Sequence, residues 1–532
     1  MALVSSSAIH HTSHPSGPID FAALSAQLSA REARIQLLEE ENRWLKSQLF
    51  GRSSEKRGVE IAAEQGLLFN EIEALAASAE AAPEALQIPA HERQKRGRKK
   101  LSADLPRVEI VHDLPEIEKV CASCAGTVLK KIGEEVSEQL DYVPAKVRVL
   151  KHIRPKYACP CCHAGVKIAP VPVSIFPKSM ASPALLAHIA TAKFVDHTPL
   201  YRQESQWARL GVILGRATMA GWMIRLGTTH LTPLVNLLAE QMLTLPLIHC
   251  DETRLQVLEA DPESGKAAAS EHWMWARCAG PPGRRIVLFD YDPSRGGAVP
   301  KRLLEGYRGI LITDGYEAYA QVAAANFLVH AGCWAHARRK FDEAHKASEG
   351  SSHAKTALAF IGELSLIERV LWDRDRQMTP EERVRVRQQH SKPILERLRA
   401  WLQAMAPQAL PQSSLGKAVN YTLNQWQKLS MFLEHGEVPL TNNLCENAIR
   451  PFVVGRKGWL FCDTIAGARA SANLFSLIET AKANGLEPHA YLSALFAKLP
   501  TLTTVEDFEV WLPWNFKAAA SATAANINYV VS

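Results

Sequence analysis

The sequence predicts a multidomain protein whose largest part is an α/β core with a helical insertion. An N-terminal coiled coil and a small β-rich zinc-binding domain are expected to precede this core. Three observations support the prediction: heptad-spaced leucines, two Cys-x-x-Cys pairs, and short apolar segments that each lead into an acidic residue. A chain of 532 residues has room for several such domains.

The composition is that of an ordinary globular protein, with 47% hydrophobic and 22% charged residues. A formal net charge of +6 is too small to establish a polyanionic partner by itself. Ten cysteines in so long a chain do not indicate a secreted disulfide scaffold. Residues 1–18 lack the pattern of a secretory signal, and no apolar run is long enough to span a membrane. We therefore expect a cytoplasmic protein with no membrane partner.

The N-terminal segment begins with residues 1–20, which are rich in Ser, His and Pro and are expected to be disordered. Residues 21–78 are predicted to form a coiled-coil helix. Its a and d positions hold Leu24, Leu28, Ile35, Leu38, Asn42, Leu45 and Leu49. A lone Asn at an a position sets the register of parallel dimers. The alternative is an amphipathic helix packed on its own domain.

Residues 79–107 form a linker that ends in a basic run. Its Arg-Gly-Arg core, with Arg96, Arg98 and Lys99, suits the narrow minor groove of A·T-rich DNA, where the negative potential is strongest. A solvated surface segment is the alternative.

Residues 108–175 contain the two cysteine pairs and a β-rich stretch between them. Paired Cys-x-x-Cys units in an intracellular chain indicate a structural Zn²⁺ site with tetrahedral geometry. The predicted ligands are Cys121, Cys124, Cys159 and Cys162, with Cys161 and His163 as substitutes. The gap between the pairs is longer than in a zinc ribbon, and a β-hairpin would fill it. Buried free cysteines are the alternative.

Residues 176–244 are predicted to be helical. A helix, a turn with Gly211 and Gly215, and a second helix resemble a helix-turn-helix unit, so the region is assigned to DNA binding. A plain helical scaffold is the alternative.

Residues 245–480 are predicted to form the core. Strands are expected at about 245–250, 272–278, 285–289 and 309–313, with a helix at about 299–305 before the last of them. This is the order of a ribonuclease H-like sheet. The first and last strands lead into Asp251 and Asp314, whose carboxylates would then lie side by side. A helical insertion at about 343–435 separates them from a third acid, Glu446, and a helical tail covers 481–532.

Three carboxylates around one sheet can hold two divalent ions, Mg²⁺ or Mn²⁺, as in-line phosphoryl transfer requires. Glu446 is expected early in a helix, after N-cap candidates at Thr441, Asn442 and Asn443. Basic side chains expected to contact DNA near these acids are His336, Arg339, Lys340, Arg450, Arg456 and Lys457. A surface helix with a capping His is the alternative for the first three. The cysteines at 250, 278, 333, 445 and 462 are expected to be isolated packing residues.

The sequence resembles the insertion-sequence-66-type transposases, which are DDE recombinases, over nearly its whole length. The motifs that carry the resemblance are Leu49-Phe50-Gly51-Arg52-Ser53-Ser54-Glu55-Lys56, Gly97-Arg98-Lys99, the two cysteine pairs, Asp251-Glu252-Thr253, Thr313-Asp314-Gly315-Tyr316, Cys333-Trp334-Ala335-His336, Asn442-Asn443 to Arg450-Pro451, and Gly455-Arg456-Lys457. The chain departs from the family's third motif, which tends to read Asp-Asn-Asn and then Glu-Arg, at Thr441 and Asn447.

The resemblance implies a transposase with Asp251, Asp314 and Glu446 as its catalytic triad. Such an enzyme cuts and joins DNA at the terminal inverted repeats of an insertion sequence and at a target. It is expected to act near the nucleoid as a homodimer or larger assembly, since two DNA ends must be held together, and accessory proteins of the same element are candidate partners. The alternatives are a ribonuclease H-like nuclease that does not join ends and a DNA-binding regulator with an inert core.

Overall fold

The computed structural model describes residues 166–347, 352–373 and 378–516, together with shorter stretches at 108–110 and 147–158 and scattered positions at 31–42, 137 and 139. It contains two units, one formed by residues 56–169 and the other by residues 1–55 with 170–532. In the described part of the chain, no helix is both long and apolar enough to cross a membrane.

The smaller unit contains an antiparallel hairpin of β1 (Lys156–Ala158) and β2 (Val166–Ile168). In sequence, the second cysteine pair falls between these two strands. All four predicted zinc ligands, Cys121, Cys124, Cys159 and Cys162, lie outside the described residues. The predicted DNA-contacting residues Arg96, Arg98 and Lys99 also lie outside them, so the zinc site and the basic segment stay predictions.

The larger unit is built on a mixed five-stranded sheet. Its strands are β3 (Leu247–Val257), β4 (Ser270–Ala279), β5 (Ile286–Asp292), β6 (Ile310–Ile312) and β7 (Val329–Ala331). They lie in the order β5-β4-β3-β6-β7, with the first three antiparallel and β6 and β7 parallel to β3. The expected strands are therefore present, although β3 runs past Asp251 instead of ending there. The alternating burial of Leu255 and Val257 explains the longer strand, since both side chains enter the core.

Four helices precede the sheet in sequence: α1 (Pro183–Phe194), α2 (Leu200–Arg209), α3 (Arg216–Arg225) and α4 (Thr232–Leu243), with a π-helical turn at Leu226–His230. Two short helices lie between strands: α5 (Ala298–Leu303) and α6 (Glu317–Asn326). The turn between α2 and α3 contains Gly211 at φ +79°, a left-handed conformation that glycine adopts without steric cost. The predicted helix, glycine turn and helix are thus present.

After β7 the chain is helical. The helices are α7 (Trp334–Ala347), α8 (Ser352–Leu371), α9 (Pro380–Val386), α10 (Lys392–Met405), α11 (Ser414–Asn424), α12 (Trp426–Ser430), α13 (Asn443–Trp459), α14 (Ile465–Ala483), α15 (Pro488–Lys498) and α16 (Val505–Glu509). Shorter turns occur at Arg387–Ser391, Met431–Leu433 and Leu499–Thr501. Helices α8 to α12 form the predicted insertion, and α8, α10, α11 and α12 share one apolar cluster with β6, β7 and α7.

Helix α14 covers the edge of the sheet. The side chains of Ser476, Thr480 and Asn484, one helical turn apart, hydrogen-bond to backbone groups of β5. An open edge strand would leave these N–H and C=O groups without partners. The helix therefore satisfies them and ends the sheet at β5.

The described residues between 31 and 42 are helical. Leu37, outside the predicted a and d positions, is only 2% exposed and joins the apolar cluster of the insertion. Ile35 and Leu38, which occupy heptad positions, are 55% and 43% exposed. Leu37 therefore packs on its own unit, whereas the heptad residues Ile35 and Leu38 are exposed to solvent.

Candidate active site

Two of the predicted acids lie at matching positions of neighbouring parallel strands. Strands β3 and β6 pair Leu247 with Ile310 and His249 with Ile312. Asp251 and Asp314 each come two residues after that last pair, so the register brings both to the end of the short β6. The side-by-side arrangement predicted for these strands is therefore observed.

The Asp251 carboxyl lies in an acidic and poorly solvated environment. Burial raises its pKa well above the usual range, and the neighbouring carboxylates of Glu252, Glu446 and Asp314 raise it further. The backbone N–H of Glu252 donates to Asp251 Oδ1 at 2.9 Å and partly offsets this effect. Asp314 and Glu446, which come from other parts of the chain, therefore act electrostatically on Asp251.

Glu446 lies in the first turn of α13, as expected, and points into a small polar cluster. The Cys333 thiol donates to Glu446 Oε1 at 3.7 Å, and His336 Nδ1 lies 3.7 Å from the same oxygen. The potential ligand atoms of Cys333, His336 and Glu446 all lie within 4.8 Å of one another. Asp251 and Asp314 are not part of this closer group.

Asn442 connects the strand of Asp251 to the helix of Glu446. Its side chain, fully buried, accepts from His249 Nδ1 and donates to the carbonyl of Cys250, both at 2.9 Å. Burial lowers the pKa of His249 to about 4, so this imidazole is neutral and its Nδ1 carries the donated proton. The backbone N–H of Asn442 donates to Cys333 Sγ at 3.1 Å.

Asn442 is the N-cap residue of α13, as one of the predicted candidates, but its side chain does not form the cap. The side-chain amide instead hydrogen-bonds to two buried groups of β3, the imidazole of His249 and the carbonyl of Cys250.

Glu252 is a further acid beside the predicted three, and it is buried. Arg295 donates to its Oε1 through Nε at 3.0 Å and Nη2 at 2.7 Å, and the Tyr319 hydroxyl donates to Oε2 at 2.7 Å. Burial raises the pKa of Glu252 to about 7, and Asp314 contributes to the increase. Both carboxylate oxygens therefore have partners within the protein.

The helical insertion contributes to the same region through Tyr421 of α11. A Cβ added to Gly315, next to Asp314, would lie 3.0 Å from the Tyr421 ring. Burial raises the pKa of Tyr421, and the charge of Asp314 adds to the increase. The Lys340 ammonium lies 4.9 Å from the centre of the same ring. The insertion therefore forms part of the site.

The predicted basic residues reach the site in different ways. His336 contacts Glu446 directly, and Lys340, on the same helix, packs on Tyr421. Arg456 donates to Thr253 Oγ1 at 3.2 Å, two residues beyond Asp251 on β3. The remaining predicted residues are half-buried or exposed: Arg339 on α7 and Arg450 and Lys457 on α13. The structure thus brings three of these residues close to the acids.

The expectation that the five remaining cysteines are isolated is wrong. All five are buried. Cys333 hydrogen-bonds to Glu446 and accepts from Asn442, while Cys445 donates to the carbonyl of Ala276 at 3.4 Å and also interacts with Cys278. Cys333 is therefore a site residue, and the following Trp-Ala-His, already singled out in the sequence, was the signal that could have identified it.

Comparison with known families gives four matches along the chain. A model described as Transposase IS66 family matches residues 178–470. Models described as Transposase C of IS166 homeodomain, zinc-finger binding domain of transposase IS66, and IS66 C-terminal element match residues 37–110, 118–163 and 476–514. The order of a zipper-like region, a zinc-finger region and a transposase core fits the predicted architecture.

Several proteins of Sinorhizobium fredii are similar to this chain over most of their length. The uncharacterized protein y4jD is 36% identical over 435 residues, which cover 80% of this chain and 83% of y4jD. The uncharacterized protein y4qI is 35% identical over 438 residues, covering 80% of this chain and 79% of y4qI. The uncharacterized protein y4hP is 29% identical over 498 residues, which cover 90% of this chain and 88% of y4hP.

Proposed function

Because the chain belongs to the IS66 transposase family, we propose that it cuts DNA at the ends of an insertion sequence and joins those ends to a target. The DNA partners in this proposal are the terminal inverted repeats of the element and the target duplex. A homodimer or larger assembly would hold the two ends together, with accessory proteins of the same element as further partners.

We assign the core to a ribonuclease H-like fold on the basis of its sheet. Three antiparallel strands are followed in sequence by two parallel strands, and the order in space is β5-β4-β3-β6-β7. The helices between and after the strands fit the same assignment, since a parallel pair needs a crossover connection.

The observation that carries the catalytic proposal is the position of three acids from three parts of the chain. Asp251 and Asp314 lie at matching positions of the paired strands β3 and β6, and Glu446 lies in the first turn of α13, which Asn442 joins to β3. A group of poorly solvated carboxylates is unfavourable unless a cation or a proton compensates its charge. Asp251, Asp314 and Glu446 supply the hard oxygen ligands that Mg²⁺ and Mn²⁺ prefer, so the donor set fits such an ion. A bound divalent ion would polarise a phosphate and lower the pKa of an attacking water or 3′-hydroxyl.

The other residues of the site have supporting roles in this proposal. Asn442 fixes the helix of Glu446 against the strand of Asp251, and Cys333 and His336 orient the Glu446 carboxylate. Basic side chains of α7 and α13, with the basic run before residue 108, contact the DNA backbone. Cys121, Cys124, Cys159 and Cys162 hold a structural Zn²⁺ within the region matched by the zinc-finger model.

The test uses purified full-length protein, labelled duplexes that carry the element's ends, and Mg²⁺. We expect Asp251→Asn, Asp314→Asn and Glu446→Gln each to lower cleavage and joining by on the order of a hundredfold or more. Asp463→Asn is the matched control, because Asp463 is an exposed acid outside the site. Wild-type rates in a clean preparation of the Asp251 variant would refute the triad.

Two further measurements distinguish a transposase from the alternative functions, a nuclease that does not join ends and a DNA-binding regulator. Pre-cut duplexes with a free 3′-hydroxyl are offered together with target DNA, and a nuclease that cannot join would leave them unjoined. A regulator with an inert core would bind these duplexes tightly, with a strong dependence on salt, and leave them intact in Mg²⁺.

A further inference from the structure

One cation beside the acids was not singled out by the sequence patterns. Arg295 lies in the loop between β5 and α5. It pairs with Glu252, but the exposure of the two partners is very different: 41% of the Arg295 side chain is exposed, against 2% for Glu252. The pair therefore has one buried end and one end in solvent.

The guanidinium of Arg295 is held on several sides. Nε and Nη2 both donate to Glu252 Oε1. Its central carbon lies 4.2 Å from the ring centre of Tyr316 and 4.8 Å from that of Trp273. The Tyr316 hydroxyl donates to the Arg295 carbonyl at 2.6 Å, so the backbone of the loop is held as well. The side chain is thus oriented before any ligand arrives.

Two contacts connect Arg295 to the predicted metal ligands. Glu252, the partner of Arg295, follows Asp251 in β3, and the backbone N–H of Glu252 donates to Asp251 Oδ1 at 2.9 Å. The backbone N–H of Tyr316, whose ring lies against the guanidinium, donates to Asp314 Oδ1 at 2.9 Å. Arg295 is therefore positioned at the edge of the acidic group.

The bonding pattern leaves one donor group available. In the part of the chain that the structure describes, Nη1 of Arg295 has no hydrogen-bond partner, whereas both oxygens of Glu252 are occupied. Glu252 is thus suited to anchor Arg295.

We propose that Arg295 binds a non-bridging oxygen of a DNA phosphodiester next to the acidic group. The inference rests on the proposed function and adds a phosphate-binding position to it. Arginine suits this role because its planar guanidinium stays protonated and donates several parallel hydrogen bonds to phosphate. The preformed orientation lowers the entropy lost on binding. A fixed cation here would also hold the phosphate beside carboxylates that otherwise repel it.

The test combines Arg295→Ala with neutral methylphosphonate linkages placed one at a time around the cleavage point of an element-end duplex. Binding of the full-length protein is measured in Ca²⁺ by fluorescence anisotropy. We expect Arg295→Ala to weaken binding roughly tenfold and to reduce the slope of log K against log salt by about one. At one linkage, the methylphosphonate should weaken binding by wild-type protein but have no further effect on the variant.

Arg397→Ala is the matched control. Arg397 also pairs with a glutamate, at 2.8 Å, and lies over an aromatic ring, but its partner Glu363 is exposed on the insertion. Equal salt slopes for the Arg295 and Arg397 variants, or a methylphosphonate effect that persists at every linkage in Arg295→Ala, would overturn the inference.

Arg295→Ala leaves Glu252 as a buried charge without its partner, so the variant can lose stability. The double variant Glu252→Gln/Arg295→Met removes both charges and is used if the single variant fails to fold; the same binding results are expected. The two proposals fail separately. A wild-type protein that does not cleave in Mg²⁺ refutes the proposed function, whereas normal cleavage with unchanged binding by the Arg295 variants refutes only this inference.

Discussion

Asn442→Ala tests whether one buried amide holds the two halves of the site together. The substitution removes two side-chain hydrogen bonds, one to His249 Nδ1 and one to the carbonyl of Cys250. Asn442 is 0% exposed and His249 is 2% exposed, so water cannot replace the amide without opening the core. The two groups would be left as buried donor and acceptor without partners.

The expected magnitude follows from those two groups. A buried polar group that loses its partner costs about 1–3 kcal/mol, so the two groups together should lower the free energy of unfolding by roughly 2–6 kcal/mol. Asn442→Asp should destabilise the protein at least as strongly, because a carboxylate cannot donate to the carbonyl of Cys250 and adds a buried charge near Asp251 and Glu446.

The assay is differential scanning calorimetry of the full-length protein, followed by cleavage measurements over a range of Mg²⁺ concentrations. We expect a lower unfolding temperature and a higher Mg²⁺ requirement, since the helix of Glu446 would no longer be fixed to the strand of Asp251. Asn443→Ala is the control, because Asn443 is the next residue and is exposed. This substitution should change the free energy of unfolding by no more than about 0.5 kcal/mol. Equal unfolding temperatures for the Asn442 and Asn443 alanine variants would refute the reasoning.

Three further predictions concern stability, each measured by thermal unfolding. Glu368→Gln should lower the free energy of unfolding by about 3–5 kcal/mol, because Arg387 is 0% exposed and its Nη2 would lose the carboxylate oxygen of Glu368 that lies 2.6 Å away. A variant as stable as the wild-type protein would contradict this. Gly227→Ala should lower the free energy of unfolding by about 1–3 kcal/mol or more, because its Cβ would lie 2.6 Å from the backbone of α14. Gly221→Ala is the control: its Cβ would have no atom within 4 Å, so the change should be neutral or stabilising. Burial, with Lys428 as a smaller cause, lowers the pKa of His330 to about 3. Below about pH 6.5 the unfolded chain therefore takes up a proton that the folded chain does not. The free energy of unfolding should fall as the pH drops from 6.5 towards 3, and it should fall less steeply in His330→Gln.

The strands and the acids could be predicted from local patterns. Apolar runs of strand length lead into Asp251 and Asp314, and the order of strands along the chain placed these runs side by side. The family resemblance drawn from the ordered motifs is confirmed by the matches along the chain. Strand β3 is longer than predicted. Leu255 and Val257 continue its alternation of buried and exposed side chains beyond Asp251.

The partners of these acids could not be predicted, because they depend on contacts between distant parts of the chain. Asn442 and His249 are 193 residues apart in sequence, and Arg295 and Glu252 are 43 apart. Asn442 before a helix has the pattern of a capping residue, and Arg295 in a Ser-Arg-Gly-Gly loop has that of a surface turn. Nothing local distinguishes an amide that caps a helix from one that bridges two elements, and only the packing of α13 on β3 decides between them.

The helical insertion illustrates why a long gap between the second and third acids is compatible with one site. Its last part lies against the strand and helix that carry the site: the indole of Trp334 donates to the carbonyl of Leu429 at 2.8 Å, and the N–H of Gly332 donates to the carbonyl of Lys428 at 3.0 Å. Tyr421, from the same insertion, lies against the residue that follows Asp314. These contacts fix the segment from Cys333 to His336 directly opposite Glu446. The insertion therefore supports the site, and shortening it at α11 or α12 would remove contacts to Gly315, Gly332 and Trp334, which lie next to site residues, even though every acid stayed in the chain.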